Sequence, residues 1–107
     1  METIVFAQER EIWWASLGIN IGFEQNGKHE AFERPILILK KFNKHLLWVL
    51  PLTSQQKTGK WYFSLEYNGK ISYAILSQIK ALSGKRLLRK IRTLPHKEFE
   101  EIKLKVK

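Results

Sequence analysis

The chain has 107 residues, 44% of them hydrophobic, with 19 basic side chains against 10 acidic ones and a formal net charge of +9. That length suffices for one compact domain, residues 1–107, and not for two, and no apolar run approaches the roughly 18 residues of a spanning helix. The absence of cysteine excludes disulfides, zinc knuckles and thiol nucleophiles together.

The opening METIVFAQEREIWW lacks a basic segment followed by a long apolar one. No secretory leader, no membrane association and a cytoplasmic address are therefore expected. Charge is unevenly spread. Residues 1–34 carry three basic and six acidic groups, residues 79–107 ten basic and three acidic. Such asymmetry points to a polyanionic partner, nucleic acid above all, with a merely solubilising surface as the plain alternative. All ten acids are glutamates and they are scattered. Two-metal nucleases need clustered carboxylates, so chemistry on nucleic acid without a metal or other cofactor is expected.

In chain order, REIWWASL (Arg10 to Leu17) is rich in β-formers and reads as a strand. The segment from Gly18 to Glu33 reads as a long polar loop. RPILILKK (Arg34 to Lys41) is a short apolar strand with Pro35 at its first position, where proline is tolerated. HLLWVLPL (His45 to Leu52) follows after Phe42-Asn43-Lys44, and the two runs form an antiparallel hairpin. KWYFSLEY and KISYAILSQI flank Asn68-Gly69, a strong hairpin signal because both turn residues tolerate positive φ. Trp61, Phe63, Leu65 and Tyr67 share one face of the first arm; Ile71, Tyr73 and Ile75 share one face of the second. RLLRKIRTL (Arg86 to Leu94) suits a further strand or a helix that stops before Pro95. After Pro95 the period lengthens. Phe99, Ile102 and Val106 fall on one side of a helix with Pro95 in its first turn. The fold class is therefore mainly β with minor α, a small barrel or strongly bent sheet of five to six short antiparallel strands ending in a helix.

Chemistry in such a fold sits at strand ends. Arg34 offers a bidentate fork to phosphate and stays charged at any working pH, though an arginine is as readily structural. Thr53, Ser54 and Gln55 leave the third strand in a row; their hydroxyls suit phosphate oxygens and suit a turn equally well. His29, His45 and His96 show no ligand spacing. Trp13, Trp14, Trp48 and Trp61 can stack bases, while core packing is the commoner use of tryptophan in so small a domain.

Taken in order, REIWWASLGINIGFEQNGK, RPILIL, PLTS, ILSQIK and KRLLRKI resemble the MazF/PemK family of toxin endoribonucleases, over residues 9 to 104. Arg10-Glu11-Ile12-Trp13 looks like the family's opening Gly-Asp/Glu-Ile/Val-Trp. The resemblance implies an SH3-like barrel with a C-terminal helix that forms a homodimer. It also implies metal-independent cleavage of single-stranded messenger RNA at a short motif, and a partly disordered, acidic antitoxin protein that covers the RNA groove. Position by position, it implies Arg34, Thr53 and Glu24 as catalytic residues, with Glu24 either the base or the residue that orients Arg34. Ser54, Gln25, Lys28, Gln78 and Ser77 become substrate-binding positions. Ser77 stands where some members carry an acid, and no arginine is present in Ile75-Leu76-Ser77-Gln78. An acid/base pair from that strand is therefore unavailable. The stretch KHEAFE before Arg34 is longer than usual, so no cleavage motif carries over. Two alternatives remain: a non-catalytic basic module that binds RNA or protein on the same fold, and a gyrase poison like CcdB, whose aromatic-Gly-Ile tail is absent from the terminal KLKVK.

Overall fold

The computed structural model describes residues 6–19 and 31–106. Among them run seven strands and one helix: β1 (Glu11–Ile19), β2 (Ala31–Asn43), β3 (Leu46–Thr53), β4 (Tyr62–Tyr67), β5 (Lys70–Ile75), β6 (Lys80–Leu82), β7 (Leu87–Thr93) and α1 (His96–Val106). All pairings are antiparallel. The order across the sheet is β4-β5-β3-β2-β1-β7, with β6 on the side of β3. The mainly β architecture with a C-terminal helix is as expected. The extra strand is β6, three residues long and too short to show an alternation in sequence.

Strand β2 explains its own composition. Ile36 and Ile38 enter one buried cluster with Ala15, Leu47 and Val49; Leu37 and Leu39 enter another with Ile12, Leu50 and Leu52. A strand covered on both faces carries no polar alternation, hence the unbroken Ile-Leu-Ile-Leu. Helix α1 seals the Leu37/Leu39 cluster through Phe99 and Ile102, with Val106 alongside. Its first intrahelical bond runs from Phe99 N–H to Pro95 C=O, so Pro95 stands at the cap.

Pro35 is not the strand's first residue. Four residues of β2 precede it, and it pairs with Trp14. The β2–β3 ladder begins only at Ile36↔Pro51. Pro35 thus lies where β2 has a ladder neighbour on one side, which spares its missing N–H. Pro51 uses the same device: β3 pairs with β6 through Val49 and with β5 from Leu52.

The hairpin at Asn68-Gly69 forms as expected, with φ of 51° and 73°. Its buried positions on β5 are Ser72 and Ala74, whereas Ile71 faces outward, 58% exposed. The edge strands β4 and β7 are tied by the Arg92 guanidinium, which donates to the Glu66 carbonyl. That contact bridges the two ends of the strand order.

Arg10 takes the left-handed conformation with φ 80°. Two backbone bonds hold it there, from its own N–H to Ile38 C=O and from Leu94 N–H to its C=O. Its guanidinium donates to Leu94 C=O and to His96 Nε2, pinning the start of α1 to the start of β1. Few residues other than glycine hold such a φ, which accounts for glycine at this place in the resembling motif.

Candidate active site

The register of β2 and β3 runs Ile38↔Val49, Leu37↔Leu50, Ile36↔Pro51. Two residues past its last pair, where the strands part, stand Arg34 on β2 and Thr53 on β3. The ladder ends just there because β3 leaves β2 for β5, pairing Leu52↔Ala74 and Thr53↔Tyr73. The parted strands open a cleft of about 1060 Å³. Arg34, Thr53, Ser54 and Gln55 border it from β2 and the end of β3, Gln78 from the turn after β5, and Tyr67 and Lys70 from the β4–β5 hairpin.

Thr53 is nearly buried, 8% exposed, and its Oγ1 accepts from Gln55 N–H at 3.2 Å. That bond fixes the hydroxyl oxygen and leaves its proton to donate. Among the described lining residues five are cations, Arg34, Lys57, Lys70, Arg89 and Lys90, against one carboxylate, Glu33. A cleft lined by one sign of charge focuses its field and draws anions inward. Trp14 stacks beneath Arg89, whose Cζ lies 5.4 Å from the ring centroid, and its indole N–H donates to Glu33 Oε1 at 2.8 Å. Lys57 lies 6.0 Å from the Tyr62 ring.

Behind the cleft, Lys90 pairs with Glu11 at 3.2 Å. Burial pushes the Glu11 carboxyl up, but hydrogen bonds from the Trp13 indole, from Gln8 N–H and from Lys90 outweigh it and hold it below its ordinary value. Among the described residues no three His, Cys, Asp or Glu side chains gather as a metal site would require.

The PemK-like, MazF-like toxins of type II toxin-antitoxin systems match this chain over residues 8–107. The chain belongs to that family. No curated protein matches it closely in sequence, but solved structures match the fold. MazF from Deinococcus radiodurans superposes with a TM-score of 0.73 at 20% identity, covering 94% of this chain and 92% of its own. Toxin MazF-mt6 of Mycobacterium tuberculosis gives 0.68 at 17% identity, with 91% and 92% covered. An endoribonuclease from a mycobacterial species, solved with its cognate antitoxin, gives 0.70 at 13% identity, with 94% and 91% covered. At such identities the likeness speaks for the fold alone.

Within this family member the cleft gathers four of the positions that the resemblance assigns, Arg34, Thr53, Ser54 and Gln78, together with Gln55 and Trp14. Ser77 adjoins Gln78 but is exposed and does not border the cleft. Glu24, Gln25, Lys28 and His29 lie outside the described residues. The tryptophans divide: Trp13 packs on the Ile36/Ile38 cluster and Trp14 borders the cleft, while Trp48 and Trp61 are exposed. Core packing thus accounts for one of the four. Lys57, Tyr62, Tyr67, Lys70 and Arg89 carried no sequence signal of their own. Arg89 reaches the cleft because β7 pairs with β1 so that Arg89 faces Trp14, an adjacency between residues 75 apart in the chain.

No helix among the described residues is long and apolar enough to cross a membrane.

Proposed function

We propose that this toxin is a metal-independent endoribonuclease that cuts single-stranded RNA, messenger RNA foremost, at a short sequence motif. The observation that carries the reading is that Arg34 and Thr53 both border a cationic cleft where β2 and β3 part. In the proposed step the ribose 2′-oxygen attacks the adjacent phosphorus. The O2′–P bond forms and the P–O5′ bond breaks. A base takes the 2′-OH proton, the O5′ leaving group gains one from solvent water, and the products end in a 2′,3′-cyclic phosphate and a 5′-OH. Negative charge grows on the non-bridging oxygens, and preorganised donors aimed at that charge lower the barrier. Arg34 and the Thr53 hydroxyl take this role, with Ser54 beside them. Glu24, outside the described residues, takes the base role. Arg34 acts chiefly as a charge, a planar guanidinium fork suited to two phosphate oxygens.

The mycobacterial endoribonuclease bound to its cognate antitoxin supports a protein partner of that kind here. The net charge of +9 favours an acidic one. In this reading the antitoxin covers the cleft of a homodimer.

The test is incubation of purified protein with mixed RNA in EDTA, with the new ends identified chemically. Wild type is expected to yield cyclic phosphates and Arg34→Ala to yield them roughly a thousandfold more slowly. Cleavage undiminished in Arg34→Ala removes the mechanism. Wild type that binds RNA and cuts nothing is instead a basic binding module on the same fold.

A further inference from the structure

We infer that Trp14, Arg89 and Glu33 form a nucleobase-reading subsite beside the phosphate site, and that it selects guanine. The inference rests on the cleft being an RNA site, and it adds what that site reads.

Three observations converge. The Trp14 ring and the Arg89 guanidinium are stacked at 5.4 Å on the cleft wall, and both are groups on which an unpaired base stacks. Glu33 is the single carboxylate among the described cleft residues, it is exposed, and it immediately precedes Arg34. Its carboxylate is held against that stack by the 2.8 Å bond from the Trp14 indole. A carboxylate in a cleft otherwise lined by cations weakens the attraction for phosphate. Its position at the stack gives it a separate use, because it can accept from the edge of a stacked base.

The donor pattern of the bases then sets the order. A carboxylate offers about four lone-pair sites, and the indole occupies one. Guanine presents N1–H and N2–H side by side on its pairing edge, matching two carboxylate oxygens. Cytosine and adenine each present one amino group on that edge. Uracil presents N3–H flanked by two carbonyl oxygens that a carboxylate repels. Stacking itself is indifferent to base identity, so discrimination falls to Glu33.

The experiment uses short single-stranded RNAs made uncleavable by 2′-fluoro ribose and varied one base at a time, with binding read by fluorescence polarisation. Wild type is expected to show one position where guanine binds about tenfold or more tighter than uracil, with cytosine and adenine between, as a good paired contact gives. Glu33→Gln should erase that preference while binding the uracil RNA no more weakly than wild type, a result that general damage to the site would not produce. Trp14→Ala should weaken all four bases to a similar degree. A guanine preference that survives Glu33→Gln, or no position with any preference in wild type, overturns the inference. Parallel digestion of the same sequences with natural ribose separates the two claims. Preference without cutting keeps the subsite and removes the nuclease, and cutting without preference does the reverse.

Discussion

At Lys44–His45 strands β2 and β3 turn into one another; at Arg34 and Thr53, the other end of the same hairpin, they part. The turn end is closed by packing. Phe42 meets Trp48 edge to face at 5.0 Å, and a Cβ added to Gly84 would run into the Lys44 carbonyl, so the short helical turn after β6 fits against it only as glycine. The parted end is polar, cationic and hollow. What separates the two ends is the partner of β3. Near the turn β3 lies between β2 and β6, and past Pro51 it leaves for β5. A cleft opens where one strand changes neighbours, and side chains at that change lose ladder partners and gain room for a ligand.

The largest effect expected is on activity alone. Arg34→Ala should lower the single-turnover cleavage rate by roughly a thousandfold, about 4 kcal/mol of transition-state stabilisation. Thermal unfolding should show Tm little changed, because the parted end holds little of the core. The mirror experiment is Gly84→Ala at the closed end, which should cost about 2 kcal/mol of stability by overpacking against backbone while the folded fraction keeps wild-type kcat. Denaturant titration beside active-site titration reads both. If Gly84→Ala instead lowers kcat in fully folded protein, the two ends are coupled and the contrast fails. Thr53→Val keeps the volume and removes the hydroxyl; roughly a thirtyfold to hundredfold loss in kcat/KM with stability nearly unchanged is expected, in line with one hydrogen bond to a charged oxygen.

The smallest effect probes the wall between the ends. Glu11 titrates below its ordinary value in the folded protein, so its stabilisation is complete above the unfolded value, about 4.3. It is lost as the pH falls through the lower folded value. Glu11→Gln should therefore be less stable than wild type by about 1.5 kcal/mol near neutral pH, with the gap narrowing below about pH 4.3. A gap that stays constant down to pH 2 would show that the charge of Glu11 is irrelevant.

Much of the hairpin architecture was legible along the chain. Asn68-Gly69 announces its turn because few residue pairs accept two positive φ values. The Ile-Leu-Ile-Leu run announces a strand buried on both sides. Pro35 misleads as a strand start, because its tolerance comes from a missing neighbour on one side, a fact about β3 and not about Pro35. Strand β6 is too short for periodicity to register. Of the site, Arg34, Thr53, Ser54 and Gln78 were visible through their motifs. Arg89 and Lys70 were not, since a cation on a solvated strand and one on a cleft wall look alike until the strands are paired.

By itself, then, the order of residues determined the elements, their apolar faces and the family to which the chain belongs, because these follow from local backbone preference and from patterns a few residues long. Only the tertiary structure decided that Arg34 and Thr53 border one cleft and that Arg89 covers Trp14. It also decided that, among the described cleft residues, one glutamate sits with five cations. Those adjacencies are set by ladder register and by the point at which β3 changes partner, both products of long-range packing that no local stretch encodes.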